Sequence, residues 1–414
     1  MGKTVIIGGG MAGLSAGIYT LLSGGEAVII ESHSITGGNL TGWQRGEYHI
    51  DNCIHWLTGT SPETDSYKMW CDLGALGGIP VHQGETLYTF SQGKESISLS
   101  YDLDKTEEDM LRISPADKGE VKKFISAVRG LKGIIGIEGA GRNEKLTGRA
   151  RLKILPRLLS FHTLSIGRLA AKFKSPTLRG FIRCFLGDVF SALTLIVILA
   201  TFTGGNGGIP EGGSRKMAER VTQRFLNLGG RLMLGRAVAK INLKGKRAES
   251  VSLSDGTRVA CDSLIITPDP KAVFGRLIKA DIPYGISRMY RRRNTYRFSS
   301  IHAAFSVDSS ALGFTGDLII PTPHKYRSVL GADYLILREF SHEGDFAPKG
   351  KTVLQAMCFL KENDATAFIV LRRSYSSYRS VKQRLSEVMA EIISESCPTL
   401  KDSLTYLDSW TPAT

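Results

Sequence analysis

The stretch KTVIIGGGMAGLSAGIYTLLSGGEAVIIE, residues 3–31, decides the fold. A short apolar run over 4–7 precedes three glycines, and apolar and small residues then recur at helical spacing over 14–22. A second apolar run, 27–30, stops at one carboxylate. The order of strand, glycine turn, helix, strand and acid is that of a dinucleotide-binding unit, and it fits in about 30 residues. We therefore predict an α/β protein with a Rossmann-like domain.

The glycine turn has the residue types that a pyrophosphate site needs. Gly8 permits the tight turn, Gly10 lets the backbone approach the phosphates, and Gly13 lets helix and strand pack closely. The helix that begins at Met11 and Ala12 presents its amides and the positive end of its dipole to the same place. We expect these five residues to contact a dinucleotide.

Two features after the turn separate the possible dinucleotides. Glu31 is placed to accept hydrogen bonds from a ribose diol, which favours a cofactor without a 2′-phosphate and allows either NAD or FAD. The pair Gly37 and Gly38 is an addition that the bare nicotinamide fingerprint does not require. The sequence has no second GxGxxG after a strand, so we do not expect a separate nicotinamide domain.

Composition limits the protein class. A chain of 414 residues is too long for one ordinary core, so two interleaved domains are expected. An apolar content of 42% and a mean hydropathy of -0.05 exclude disorder and fibres. The six cysteines are scattered without a CxxC pair, which predicts no metal site and fits a reducing compartment. The N-terminus does not read as a signal peptide, so the cytoplasm is the expected location.

The middle and the end of the chain predict how the domains interleave. Residues 231–267 read as strands that return to the parallel sheet after a tight turn at Asp255-Gly256. Ser214 is the expected N-cap of a helix that runs from about Arg215 to Leu228. We therefore predict a discontinuous FAD-type domain over 1–79 and 204–270. An inserted α+β substrate-binding domain, with an antiparallel sheet, takes 80–203 and 271–414.

The segment from Val189 to Thr203 has 15 residues and no charge. A bilayer span needs about 20 residues, so a membrane helix is the weakest interpretation. We predict a buried helix that lines an apolar cavity, with ordinary core packing as the alternative.

The net charge of +14 is unevenly placed. Between Lys145 and Gly187 there are ten Lys or Arg residues and no acid, interleaved with large apolar residues. A further basic cluster lies between Arg288 and Arg297. These segments indicate a surface that docks on anionic lipid headgroups, so the protein is expected to lie at the membrane periphery. The alternative is a solvated helical face. No nucleic-acid partner is predicted, because no recognised binding module accompanies the charge.

Several motifs together resemble a known family. Beside the glycine turn, the chain has YHIDNCIHWL at 48–57, GNGGIPEGGS at 205–214, LGGRLMLGRAVAKI at 228–241 and WTPAT at 410–414. This combination resembles the phytoene desaturase, carotenoid isomerase and retinol saturase group of flavoproteins. That group is a branch of the broader amine-oxidase-like FAD fold.

The resemblance implies FAD as the cofactor. It places Gly8, Gly10 and Gly13 at the pyrophosphate and Glu31 at the adenosine ribose. It also places Gly37 and Gly38 beside the pyrophosphate and the backbone of Val238 at the adenine. Asn39 stands where many relatives have a basic residue, and Asp51-Asn52-Cys53 replaces the usual aspartate, glycine and proline near the flavin.

The resemblance also implies an activity, namely oxidoreduction of an apolar polyene or isoprenoid. His55 and Trp56 are the predicted substrate contacts. For His55 and the nearby His49, an ordinary structural role is the alternative. The other candidate functions are an amine oxidase of the same fold and a non-catalytic isoprenoid-binding protein.

The family pattern continues beyond the WTPAT-like stretch. In relatives, several tens of further residues include a glycine-rich segment that contacts the flavin. From the resemblance we expect the 414-residue chain to be a fragment that lacks this segment. The alternative is a natural truncation that weakens FAD binding.

Overall fold

The computed structural model of the chain describes residues 2–135, 161–291 and 298–414. The strands in these ranges are β1 Lys3–Ile7, β2 Glu26–Ile30, β3 Gly42–Arg45, β4 Tyr48–Asp51, β5 Leu57–Thr58, β6 Val81–His82, β7 Thr86–Gln92, β8 Glu95–Ser100, β9 Gly207–Pro210, β10 Arg231–Met233, β11 Val238–Lys244, β12 Arg247–Leu253, β13 Arg258–Ala260, β14 Ser263–Ile266, β15 Phe298–Asp308, β16 Asp317–Pro321, β17 Tyr334–Glu339, β18 Lys351–Lys361 and β19 Thr405–Trp410. The α-helices are Met11–Leu22, Asp65–Asp72, Leu103–Ile113, Lys118–Ile135, Ile166–Ala170, Pro176–Arg183, Ala192–Thr203, Gly213–Asn227, Pro270–Ala272, Tyr284–Arg291, His324–Leu330, Glu362–Leu371 and Tyr375–Ser396.

The N-terminal strands belong to a four-stranded parallel sheet in the order β10-β2-β1-β14. The Met11–Leu22 helix covers one face, where Ile6 and Ile29 are fully buried. Val5 lies on the opposite face and packs against Val251 of β12. Both faces of the sheet are therefore covered, which is why its strands are almost continuously apolar. The predicted α/β, Rossmann-like class is confirmed.

A three-stranded antiparallel layer, β11-β12-β13, is inserted before the chain returns to the parallel sheet at β14. The predicted turn lies between β12 and β13. Gly256 has φ +87°, and Asp255 Oδ1 accepts a hydrogen bond from the Thr257 amide at 2.9 Å. The parallel sheet thus takes strands from both sides of a long insertion, so it is discontinuous in sequence.

The largest sheet has seven strands in the order β19-β15-β18-β17-β16-β7-β8. Neighbouring strands are antiparallel except for β16 and β7, which are parallel. Alternate side chains point to opposite faces, as the pleat requires. Ile336 joins the core under the Ala192–Thr203 helix, and Leu337 joins the core under the Tyr375–Ser396 helix. The division of the chain into the two domains with the boundaries given above stays a prediction.

The apolar segment forms a buried helix, Ala192–Thr203, as predicted. Ser191 caps it, since its Oγ accepts a hydrogen bond from the Leu193 amide at 3.2 Å. Leu195 and Leu199 are fully buried in the core. Phe202 of this helix lines a small cavity. The larger cavity that is described below is lined by Phe185 and Leu186, which precede the helix in the sequence. Within residues 2–135, 161–291 and 298–414, no helix is long and apolar enough to cross a membrane.

The prediction that Ser214 caps a helix is wrong. The Gly213–Asn227 helix already includes Ser214, and its N-cap is Gly212 in a left-handed conformation, with φ +80°. The amide of Gly212 donates to both carboxylate oxygens of Glu343 at 3.0 Å. Burial raises the pKa of Glu343. The helix start is therefore capped by a residue that lies far away in the sequence.

Ser214 instead forms hydrogen bonds with Asp51, at the end of β4, and with the backbone of Ile54. Its Oγ donates to Asp51 Oδ1 at 2.6 Å and accepts from the Ile54 amide at 2.8 Å, and its own amide donates to Asp51 Oδ2. Asp51 is 3% exposed. A carboxylate at a helix N-terminus is favourable because it faces the positive end of the helix dipole. This contact fixes the segment 51–54 against the helix.

Replacing Ser214 by Ala should lower the free energy of unfolding by about 1–3 kcal/mol, because Asp51 and the Ile54 amide each lose a buried hydrogen bond. Urea denaturation measures the change. Ser376→Ala, at an exposed site in the Tyr375–Ser396 helix, is the matched control and should change stability by less than about 0.5 kcal/mol. Equal changes in the two variants would show that the contact with Asp51 is not stabilising.

Candidate functional site

The glycine turn between β1 and the Met11–Leu22 helix is tightly built. Gly8 has φ +101°, and its amide donates to the carbonyl of Ile30 at 2.9 Å. A Cβ on Gly13 would lie 1.9 Å from the carbonyl oxygen of Gly8. Any larger residue at position 13 would therefore push the helix away from the turn. The two glycines have the packing roles that the sequence predicts.

The first amides of the Met11–Leu22 helix have no acceptor within the helix. Gly10 is the N-cap in an extended conformation, and no side chain caps the helix. The amides of Met11, Ala12 and Gly13 have no acceptor within the helix, since the first intrahelical bond is made by Leu14. Such an end binds anions through its amides and its dipole. It suits a pyrophosphate.

The second glycine pair lies against the turn. The Gly37 amide donates to the carbonyl of Gly9 at 2.9 Å, and Gly10 and Gly37 form an isolated parallel bridge. A Cβ on Gly38 would lie 3.2 Å from the Cα of Gly10. The two backbones thus meet without side chains and leave a cradle that a Cβ would fill. Asn39 follows the pair and is exposed.

Glu31 is held rigidly at the end of β2. Its Oε2 accepts from the Gly9 amide at 2.6 Å, and its Oε1 accepts from the His33 amide at 2.8 Å and from Ser32 Oγ at 3.1 Å. The residue is only 9% exposed. Two carboxylate oxygens offer about four acceptor sites, so one remains for a ribose hydroxyl. The carboxylate is therefore fixed beside the turn before any ligand binds.

The segment GRAV, residues 235–238, runs beside Glu31, as the resemblance implies. The Gly235 amide donates to the carbonyl of His33 at 2.8 Å, and the Arg236 amide donates to the carbonyl of Glu31 at 2.9 Å. Val238 follows two residues later, half-buried at the start of β11. The structure thus brings Glu31 and Val238, the predicted ribose and adenine contacts, to the same end of the parallel sheet. Their roles towards the cofactor stay proposals.

A short backbone path leads from the glycine pair to a cavity. Leu40 donates its amide to the carbonyl of Gly37 at 3.1 Å, and the carbonyl of Thr41 accepts from the Asn52 amide at 3.0 Å. Asn52 and its neighbour Cys53 form part of the cavity wall. The segment that carries the cradle therefore also reaches the cavity.

The cavity has a volume of about 310 Å³ and a divided lining. This volume lies at the small end of the range for ligand pockets, about 300 to 1,000 Å³. One part of the wall is apolar and the other is polar. The apolar residues are Trp56, Phe185, Leu186, Ile336, Met357 and Phe359, and the polar residues are Asn52, Cys53, His55, Ser300, His302 and Asp317.

Both predicted substrate contacts, His55 and Trp56, line this cavity. The rings of Trp56 and Phe185 are in a tilted contact, with their centroids 5.4 Å apart. His49 lies against Phe346, with the two ring centroids 4.4 Å apart, and burial lowers the pKa of its imidazole. An ordinary structural role for His49 stays a prediction.

A charged cluster lies at the polar end of the cavity. Asp317, at the start of β16, is opposite Arg338 of β17 in the sheet register. Its Oδ2 is 3.9 Å from His55 Nδ1, and its Oδ1 is 3.8 Å from Arg338 Nε. Arg338 is 5% exposed and donates to the carbonyl of His55 at 2.7 Å. The guanidinium thus both positions the His55 loop and offsets the charge of Asp317.

His302, on the same wall, is an uncharged polar group. Its ring stacks on Trp410 with centroids 4.6 Å apart, and its Nε2 is 2.7 Å from Ser300 Oγ. Burial first, and then His55 and Arg338, lower the pKa of His302 to about 3. At neutral pH the imidazole is neutral and available for hydrogen bonding.

Sequence reasoning missed Asp317, Arg338 and His302. Arg338 carries a signal, because it is a charge inside the apolar run YLILRE, and buried arginine is rare without a partner. Asp317 and His302 carry none that is local. They meet His55 only because strands distant in sequence are neighbours in the seven-stranded sheet.

The basic run is described only in part. Lys145, Arg149, Arg151, Lys153 and Arg157 fall outside the described residues, as do Arg292, Arg293 and Arg297. Farther along, Arg183 pairs with Asp188 through both carboxylate oxygens, and Arg179 Nε donates to a backbone carbonyl at 2.7 Å. Part of the charge therefore serves internal contacts. Membrane docking stays a prediction, which vesicle flotation at low and high salt tests.

The six cysteines all lie in the described part of the chain. All six cysteines are free thiols. Among residues 2–135, 161–291 and 298–414, no group of His, Cys, Asp or Glu is arranged to hold a metal ion.

Comparison with known proteins identifies the family. A family model described as flavin containing amine oxidoreductase matches residues 11–329. The chain belongs to this family. FAD, the predicted cofactor, is thereby confirmed, and the cradle at Gly10 and Gly38 and the fixed carboxylate of Glu31 fit its pyrophosphate and ribose.

The curated relatives confirm the resemblance to the carotenoid group. Prolycopene isomerase 2 (chloroplastic) from an Oncidium hybrid cultivar is 27% identical over 297 residues, which are 67% of this chain and 50% of the relative. The lycopene-forming phytoene desaturase of Paracoccus sp. is 23% identical over 282 residues, 64% of this chain and 54% of the relative. The chain thus spans about half the length of the curated relatives it matches.

Among solved structures, an oxidoreductase from Methanosarcina mazei has the same fold. It aligns with a TM-score of 0.65 at 17% identity and covers 99% of this chain and 87% of its own. At that identity the likeness shows the fold alone.

The Glu31→Gln variant should bind FAD about tenfold more weakly, because the ribose loses a charged acceptor and the amide group cannot accept at both oxygen positions. Flavin fluorescence titration measures the affinity. Glu26→Gln, an exposed site on the same strand, is the control and should bind FAD as the unmodified chain does. Unchanged affinity in Glu31→Gln would remove Glu31 from the site.

Proposed function

We propose that the chain is an FAD-dependent oxidoreductase of the desaturase, isomerase or saturase type that acts on an apolar polyene or isoprenoid. The observation that carries the proposal is the continuity of segment 37–56, which holds the glycine pair at one end and the wall of the 310 Å³ cavity at the other. The segment therefore links the residues that would hold the cofactor's phosphates to the residues that would contact the substrate. Relatives named as an isomerase and a desaturase support the same substrate class.

In this proposal the chain binds, orients and excludes water. Bound FAD supplies the hydride acceptor or donor. Gly10 and Gly38 admit the phosphates, and Glu31 fixes the adenosine end. Trp56, Phe185 and the other apolar residues of the cavity hold the hydrocarbon part of the substrate away from water. No metal is required for this division of roles.

Amine oxidation is less well supported. A protonated amine needs an unbalanced negative charge in the cavity, but Arg338 Nε already lies 3.8 Å from the Asp317 carboxylate. An isoprenoid-binding protein without catalysis would use the same cavity and would have no need of the glycine cradle.

Anaerobic mixing of the FAD-loaded protein with candidate polyenes tests the function. Phytoene, prolycopene and retinol cover the desaturase, isomerase and saturase types. Each polyene is mixed with the protein that holds oxidised FAD and, in parallel, with the protein whose FAD has been reduced by dithionite. We expect one of them to change the polyene spectrum. A desaturase would also bleach the oxidised flavin band, because electrons leave the substrate, whereas a saturase would restore that band from reduced flavin, because the substrate takes up two electrons. Stopped-flow absorbance records both changes.

A long-chain primary amine is the comparison substrate. Flavin bleaching by the amine and by none of the polyenes would replace the proposal with amine oxidation. Polyene binding without spectral change in either partner would favour the non-catalytic reading.

A further inference from the structure

Asp317 is a carboxylate without a hydrogen bond among the described residues. The nitrogen atoms nearest to it in the ion-pair geometry, His55 Nδ1 at 3.9 Å and Arg338 Nε at 3.8 Å, both lie beyond hydrogen-bonding distance. The side chain is only 14% exposed. It lines the 310 Å³ cavity, so its free acceptor sites can be reached from there.

A ligand that fills the cavity has to replace the solvent that can reach this carboxylate from there. A polar group that loses its solvent without gaining a new partner costs about 1–3 kcal/mol. A pure hydrocarbon offers no donor to Asp317, and it would also displace water from the carboxylate. A ligand with one hydrogen-bond donor would satisfy the carboxylate, while its hydrocarbon part lies against Trp56, Phe185 and Met357.

The surrounding charges select the kind of donor. Arg338 is always protonated and compensates the charge of Asp317. An ammonium would therefore gain little net attraction, because Arg338 Nε lies 3.8 Å from the carboxylate that would bind it. A carboxylate ligand would meet Asp317 directly, and Arg338 does not line this cavity. A neutral hydroxyl donates a hydrogen bond and adds no charge.

We propose that the substrate is an isoprenoid or polyene alcohol, whose hydroxyl group donates to Asp317 with His55 beside it. The inference rests on the proposed function, since it names the substrate class of the same cavity. The hydroxyl fixes which end of the molecule enters, and the apolar wall takes the chain. Asp317 is thus a specificity-determining residue.

Isothermal titration calorimetry on the FAD-loaded protein tests this with farnesol, its methyl ether and farnesylamine. Farnesol should bind at least about tenfold more tightly than the ether, which keeps the oxygen but lacks the donor, because a hydrogen bond to a charged group is lost. Farnesylamine should also bind more weakly than farnesol. Equal affinity for alcohol and ether would overturn the proposal.

The Asp317→Asn variant provides the second arm. It should lower the affinity for farnesol about tenfold and leave that for the ether within about twofold. Asp333→Asn, at an exposed loop site with a 71% exposed side chain, is the matched control and should change neither. An equal loss of affinity for farnesol and for the ether would assign Asp317 a structural role and overturn the proposal.

The two proposals fail separately. If the FAD-loaded protein binds farnesol and the ether equally but oxidises or isomerises a hydrocarbon polyene, the substrate class is wrong and the function stands. If Asp317→Asn does not fold, the comparison of farnesol with its ether in the unmodified chain still decides the question.

Discussion

The hydrogen bond from the Gly37 amide to the carbonyl of Gly9 is the contact on which the site depends. It holds a second backbone so close to the glycine turn that a Cβ on Gly38 would crowd Gly10, at 3.2 Å from its Cα. The result is an anion site with two glycine-lined sides. Because the same segment continues to Asn52, the contact also fixes where the cavity lies relative to the helix N-terminus.

The nucleotide unit could be predicted from the sequence because its determinants are local. Strand, turn, helix, strand and Glu31 follow one another within residues 3–31, and each responds to neighbours a few positions away. The family resemblance added Gly37, Gly38 and Val238, which the structure places beside that unit. The Ala192–Thr203 helix could be predicted for the same reason, but the sequence did not show which of its residues line a cavity.

Other features depend on contacts across the sequence. Ser214 has the residue type of an N-cap, yet its hydroxyl is taken by Asp51, 163 residues away, and Gly212 and Glu343 take over the helix start. Asp317 and Arg338 become neighbours only through the pairing of β16 with β17. Local rules cannot show such partners, so Asp317 and His302 in the polar half of the cavity were not predicted.

The most direct measurement is an equilibrium titration of the 414-residue chain with FAD, followed by flavin fluorescence. The account predicts saturable binding of one FAD per chain. It also predicts at least a tenfold loss of affinity in Gly13→Ala, whose Cβ would meet the Gly8 carbonyl at 1.9 Å; about 1.4 kcal/mol corresponds to that factor. No saturable binding by the unmodified, folded chain would contradict the account.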